Sequence, residues 1–153
     1  MLNPENSLGY LVRRCHRRFD RLLNAHLNTH GLKAGFWYYL RALWIEDDVT
    51  QKHLSDVTNV TETTTVSLIN GMVDYGLVTR TRSIVDKRKM QVKLTGKGRD
   101  LEKELMHYAI EINEIARAGI SPKNLAICAD VLKRMSENLQ TAFEQLPSKR
   151  PED

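Results

Sequence analysis

The chain has 153 residues, 41% hydrophobic and 27% charged, which fits one soluble domain with its own core and excludes a disordered or fibrous chain. Lys and Arg outnumber Asp and Glu by 23 to 19, an excess that permits a polyanionic partner without demanding one. No apolar run approaches the roughly 18–20 residues that span a bilayer, the opening residues lack the apolar core of a secretory signal, and Cys15 and Cys128 form no motif, so a cytoplasmic protein with reduced thiols and no membrane contact is expected.

In chain order, Leu8, Leu11, Val12, Cys15, Phe19, Leu22, Leu23 and Leu27 recur at three- and four-residue steps and predict a helix over 6–29. Asn6 or Ser7 can cap its start, and Gly31 can end it. A second helix over 33–45 is dense in aromatics: Phe36, Trp37, Tyr38, Tyr39 and Trp44. Thr50 then reads as the N-cap of a short helix carrying Leu54 and Val57, and Asn59 and Val60 form a turn. Thr61 caps the next helix, whose expected inward face is Val66, Ile69, Met72 and Val73, with Gly76 as its stop.

Beyond Leu77 the period changes to two. Val78, Arg80 and Arg82 alternate with Thr79, Thr81 and Ser83; Met90, Val92 and Leu94 alternate with Gln91, Lys93 and Thr95. The runs read as an antiparallel hairpin whose turn, Asp86-Lys87-Arg88-Lys89, is all charged and projects into solvent. Two long helices follow, the first with Leu101, Leu105, Tyr108, Ile112 and Ile115. Ser121-Pro122 starts the second, which carries Leu125, Cys128, Leu132, Met135, Leu139, Ala142 and Leu146. A polar, frayed tail over 147–153 is expected. The fold class is therefore mainly α with a small β-hairpin.

Helix, tight turn, helix and then a cationic hairpin is the order of a winged helix-turn-helix. A helix end fits the major groove, and a thin basic hairpin fits the minor groove. The residues resemble the multiple-antibiotic-resistance regulator (MarR) family. The resemblance lies in the Leu54 helix, the Thr-rich helix after it, Gly76-Leu77-Val78, Asp86-x-Arg88 and Leu94-Thr95-x-x-Gly98. Gly31-Leu32 followed by Trp37 and Leu40 resembles the family's second-helix region, and the likeness extends over about 6–146.

That resemblance implies one MarR-like domain over 1–153, with dimerisation helices at 6–30 and 97–146 and a DNA-binding lobe at 50–96. It implies a homodimer on a pseudo-palindromic site in double-stranded DNA, most simply a repressor, released by a small effector such as an aromatic acid or its thioester. Arg88 would enter the minor groove, with Lys87 and Lys89 beside it. Asp86 would orient the wing by pairing with Arg80 or Arg82. Thr61, Thr63, Thr64 and Ser67 would face the major groove. In one respect the chain departs from the family: no Arg or Lys lies between Thr61 and Val73, so affinity is expected to rest on the wing.

For a ligand the candidates are His16, Arg17, Phe19, Trp37, Leu40 and Trp44, an apolar set beside a helix that also carries Arg13, Arg14, Arg18 and Arg21. The plain alternative is that the aromatics are core and the arginines a solvated face. A redox role for Cys15 and a winged domain used only for protein contacts are the other readings kept. His26 and His30 lie four apart, but no metal site is assigned. No catalytic motif or cofactor fingerprint is present, so an enzyme is not expected.

Overall fold

Ser7 starts the first helix, its hydroxyl oxygen accepting the Tyr10 backbone N–H at 3.4 Å. In this computed structural model, which describes residues 3–146, helix α1 runs Leu8–Thr29 and stops before Gly31 at φ +67°. The expected tail over 147–153 lies outside the described residues. Only the C-terminal half of the α1 stripe is covered: Leu23 and Leu27 are buried, while Leu8, Val12 and Leu22 are exposed.

Helix α2 (Phe36–Ile45) begins three residues later than the aromatic pattern suggests, after a turn at Gly35. It buries Phe36, Trp37, Tyr39, Leu40 and Leu43 and forms the centre of the core. Strand β1 (Val49–Thr50) is new relative to the sequence reading, because two residues are too short to show a period. Thr50 then caps α3 (Gln51–Thr58), accepting the His53 N–H at 3.1 Å. Asn59, left-handed at φ +53°, ends α3, a conformation that asparagine tolerates better than most residues. Thr61 caps α4 (Glu62–Asp74), and Gly76 at φ +68° turns the chain into the sheet.

Strands β2 (Val78–Arg82) and β3 (Met90–Leu94) pair antiparallel, with Val78 opposite Leu94, Arg80 opposite Val92 and Arg82 opposite Met90. β1 adds to the far edge of β3, giving the order β1-β3-β2. Val78, Val92 and Leu94 are buried on one face, as the alternation requires. Thr95 caps the next helix: its hydroxyl oxygen accepts the Gly98 N–H at 3.1 Å, and the hydroxyl donates to the Gly76 carbonyl at 2.7 Å. Helix α5 (Gly96–Arg117) buries Gly98, Leu101, Leu105, Ala109 and Ile112.

The inward face of α4 differs from the expected one. Thr65, Ile69 and Met72 are buried, while Val66 is half-buried and Val73 exposed. The physical reason is the phase of the helix. Steps of four and three from Thr65 to Ile69 to Met72 form one row, and Val73 falls beside it.

The chain divides into two compact units that meet between Ile112 and Asn113. The second holds the last turns of α5 and helix α6 (Pro122–Glu144), which starts on a Ser121 cap with Pro122 in its first turn. Among the described residues, none of α6 is buried, and Ile127, Val131, Leu132, Leu139 and Phe143 are exposed. No helix among the described residues is long and apolar enough to cross a membrane.

Candidate nucleic-acid interface

Thr61, Thr63, Thr64 and Ser67 all lie exposed on the first half of α4. The Thr61 hydroxyl is committed locally: its oxygen accepts the Thr64 backbone N–H at 3.3 Å, and it donates to the Thr64 hydroxyl at 3.0 Å. Thr63 and Ser67 are four apart and share a face, and exposed Asn70 continues that row. Asn70 was not singled out by sequence. Its signal was available as a step of three from Ser67, and an asparagine amide can bond two atoms of an adenine edge. The middle of the threonine run has a different task. Thr65 is fully buried and its hydroxyl lies 2.9 Å from the Tyr39 hydroxyl.

Beyond β2 the connecting loop is longer than the charged turn alone. It covers residues 83–89, closed by the Ser83 N–H donating to the Lys89 carbonyl at 2.9 Å. The Asp86 carboxylate accepts the Arg88 backbone N–H at 3.1 Å and the Arg88 Nε–H at 3.4 Å, with the Lys89 ammonium 3.8 Å away. The aspartate therefore orients the arginine two residues on, and its ion-pair partners are Arg88 and Lys89 rather than Arg80 or Arg82. The side chain of Arg88 remains 91% exposed. Arg82 is also exposed. Arg80 is half-buried on the Val78–Val92 face and donates to the Gln51 side chain at 3.4 Å, because the two-residue period turns it inward. The loop also carries two apolar residues that the charged-turn reading passed over, Ile84 and Val85, both almost wholly exposed.

Asp47 and Asp48 anchor this hairpin from its base. Asp47 accepts the Leu94 N–H at 2.8 Å and pairs with Arg99 at 2.9 Å. The Asp48 carboxylate pairs with Lys93 at 3.3 Å, and its carbonyl accepts from the Gln91 side chain. A helix presenting short polar side chains, followed by a cationic hairpin tied at its base by Asp47 and Asp48, is a surface suited to duplex DNA.

Residues 30–89 match the model of the MarR family. The fold agrees over a longer stretch with a MarR transcriptional regulator from Methanosarcina mazei Go1, at a TM-score of 0.82 and 28% identity, covering 88% of this chain and 97% of that one. Over that segment and in its fold, the chain is similar to the MarR family. It is similar to the HTH-type transcriptional regulator MhqR of Bacillus subtilis, 23% identical over 139 residues, which are 90% of this chain and 95% of the relative. Its fold is also that of a MarR family regulator from Listeria monocytogenes complexed with 26mer DNA, with a TM-score of 0.85 and 19% identity over 96% of this chain and 98% of that one. These likenesses support a DNA-binding transcriptional regulator of the MarR type.

The ligand candidates are spread over several surroundings. Leu40 has no exposed surface, and Trp37 is buried edge-on against Trp44 at 5.8 Å. Trp44 is half-buried and donates from its indole to the Gly98 carbonyl at 3.0 Å, and Phe19 packs on the core. Arg17 lines a groove of about 740 Å³ along α1, together with Tyr10, Arg13, Arg14, Arg18 and Asp20, among others. Trp37 lines a second groove of about 530 Å³, with Tyr38, Arg41, Ile45, His53 and Val57. A hydrogen bond ties the two grooves: the Tyr38 hydroxyl donates to Asp20 at 2.7 Å. His16 lies 3.2 Å from Asp20 and 3.3 Å from the same hydroxyl. Burial first, and the Asp20 carboxylate second, push the Tyr38 phenol up to about 12. Sequence alone gave no reason to single out Tyr38, since its apolar-looking neighbours masked a polar role.

Both cysteines are exposed, although each lies on the apolar stripe of its helix. His26 stacks on Tyr108 at 4.3 Å, and His30 reaches the Tyr108 hydroxyl at 3.2 Å and Glu104 at 3.7 Å. Among the described residues no group of three or more His, Cys, Asp or Glu is placed to hold a metal ion.

Proposed function

We propose that the chain acts as a homodimer on a pseudo-palindromic operator, represses from it, and is released by a small anionic aromatic ligand. The observation that carries this reading is the pairing of a neutral, exposed α4 row with an exposed Arg88 held in place by Asp86. Arg88, Lys87, Lys89 and Arg82 supply phosphate and minor-groove contacts, and Thr63, Thr64 and Ser67 tune the preferred sequence. Thr61 serves first as the cap that aims the helix.

The dimer reading rests on apolar residues that the single chain leaves in water. Leu8, Val12 and Leu22 of α1, and Ile127, Leu139 and Phe143 of α6, are all exposed. The segments 6–30 and 97–146 are proposed as the dimerisation helices, with 50–96 as the DNA lobe. Two lobes related by a twofold axis then read half-sites about 34 Å apart. A sedimentation experiment reporting the mass of one chain at micromolar concentration would remove this part.

The ligand reading rests on the linked grooves. Arg17 and its neighbours offer charge for a carboxylate, and Trp37 and Tyr38 offer aromatic surface. Trp37 and Trp44 are reporters: titrating aromatic acids should change their fluorescence and weaken DNA binding together. Oxidation of the exposed Cys15 is a second reading, favoured by its exposure. It requires that peroxide abolish DNA binding in the native protein and not in Cys15→Ser.

The deciding experiment is an anisotropy titration against the duplex upstream of the chain's own gene, repeated at several salt concentrations. Affinity should fall steeply as salt rises, through counterion release. Absence of binding at low salt sinks the operator reading.

A further inference from the structure

Ile84 and Val85 are 96% and 98% exposed, side by side on the wing loop. We propose that they form an apolar wedge which the wing seats in the minor groove of duplex DNA, opening the groove and bending the duplex. This rests on the DNA-binding reading and adds to it a contact that is not electrostatic.

Two hydrogen bonds close the loop around the pair. The Asp86 N–H donates to the Ser83 hydroxyl at 3.3 Å across the two residues, and the Lys89 N–H donates to the Asp86 carbonyl at 2.8 Å just beyond them. Ile84-Val85 and Lys87-Arg88 are thus two adjoining bends of one closed loop. Both wedge residues are β-branched and stiff at χ1, so little side-chain freedom remains to be lost on insertion.

The occupant follows from what surrounds the pair. Lys87, Arg88 and Lys89 are all exposed next to it. An apolar protein face could cover Ile84 and Val85 only by stranding those cations. A minor groove answers both demands, with phosphates on its walls for the cations and sugars and base edges within for the apolar pair. Apolar side chains that enter this groove part neighbouring base steps and bend the duplex toward the major groove. Steps that unstack easily, such as TA, should therefore be favoured under the wing, a preference that needs no hydrogen bond to a base.

The test uses the full-length protein and a duplex that the native protein enriches from a randomised pool. Affinity is measured by anisotropy across a salt series, and bending by energy transfer between labelled duplex ends. Ile84→Ser/Val85→Ser should lower affinity by about tenfold or more, as apolar burial is lost. It should leave the salt slope unchanged and reduce the bend. Arg88→Ala should instead flatten the slope. Since both wedge side chains lie outside the core, circular dichroism should report an unaltered fold. If the double variant binds as tightly and bends the duplex as much, the wedge is overturned while DNA binding stands. If no duplex is enriched, the DNA reading falls and the wedge with it.

Discussion

The hydroxyls of Thr65 and Tyr39 lie 2.9 Å apart, both out of reach of solvent, and join the helix that faces DNA to the helix at the centre of the core. Removing either partner leaves the other hydroxyl buried and unpaired. Thr65→Val and Tyr39→Phe should each cost about 1–3 kcal/mol in urea unfolding. The double variant should lose clearly less than the sum, since no polar group is then stranded. Simple additivity would show that the two hydroxyls do not depend on each other.

Arg88 is exposed and aimed by Asp86. Arg88→Ala should weaken DNA binding on every sequence tried and reduce the slope of log affinity against log salt by about one for each wing engaged. Ser67→Ala should act differently, changing the order of preferred sequences with the slope kept. Equal slopes for native protein and Arg88→Ala would remove the arginine from the interface.

Gly98 sits in the first turn of α5 beneath the wing. A Cβ there would overlap the Leu77 carbonyl oxygen and come within 3.0 Å of Leu94 Cδ2. The obstacle is backbone, so the helix start must shift, and Trp44 would lose its acceptor geometry at the Gly98 carbonyl. Gly98→Ala should therefore destabilise the fold by about 1–3 kcal/mol. Thermal unfolding followed by circular dichroism checks it, and an unaltered midpoint would mean the turn is looser than described.

Tyr38 titrates late, near 12 rather than 10, because burial and then Asp20 oppose its phenolate. Between those values the unfolded chain has released this proton and the folded chain retains it. The stabilisation is thus complete below pH 10 and fades as pH rises through about 12. Unfolding free energies of the native protein and Tyr38→Phe should differ by a constant amount below pH 10. The difference should shrink above it. A gap that widens with alkali would contradict the assignment.

Much of this architecture was legible because short-range chemistry writes itself into single residues. Ser7, Thr50, Thr61 and Ser121 each cap the helix they precede, and the alternation from Val78 to Leu94 matches the register seen. The misses share a cause, which is that facing direction is decided by partners distant in the chain. Thr65 turned inward because Tyr39 waits there, 26 residues away. Arg80 turned to Gln51, leaving Asp86 to hold Arg88 instead. Val49–Thr50 became a strand only because Gln91 and Val92 lie alongside. Ile84 and Val85 were hidden by the charges that follow them. The ligand set was the least legible part, since aromatic spacing on one helix does not reveal which rings end up walled in, as Leu40 and Trp37 are.

The two oxygens of Asp47 hold different things: one accepts the N–H of Leu94 at the foot of the wing, the other pairs with Arg99 in the first turn of α5. The hairpin and the helix are consequently hinged on one carboxylate. Neither can tilt alone without breaking a bond at 2.8 or 2.9 Å. A displacement of the first turn of α5 must therefore either carry the foot of the wing with it or break one of these two bonds.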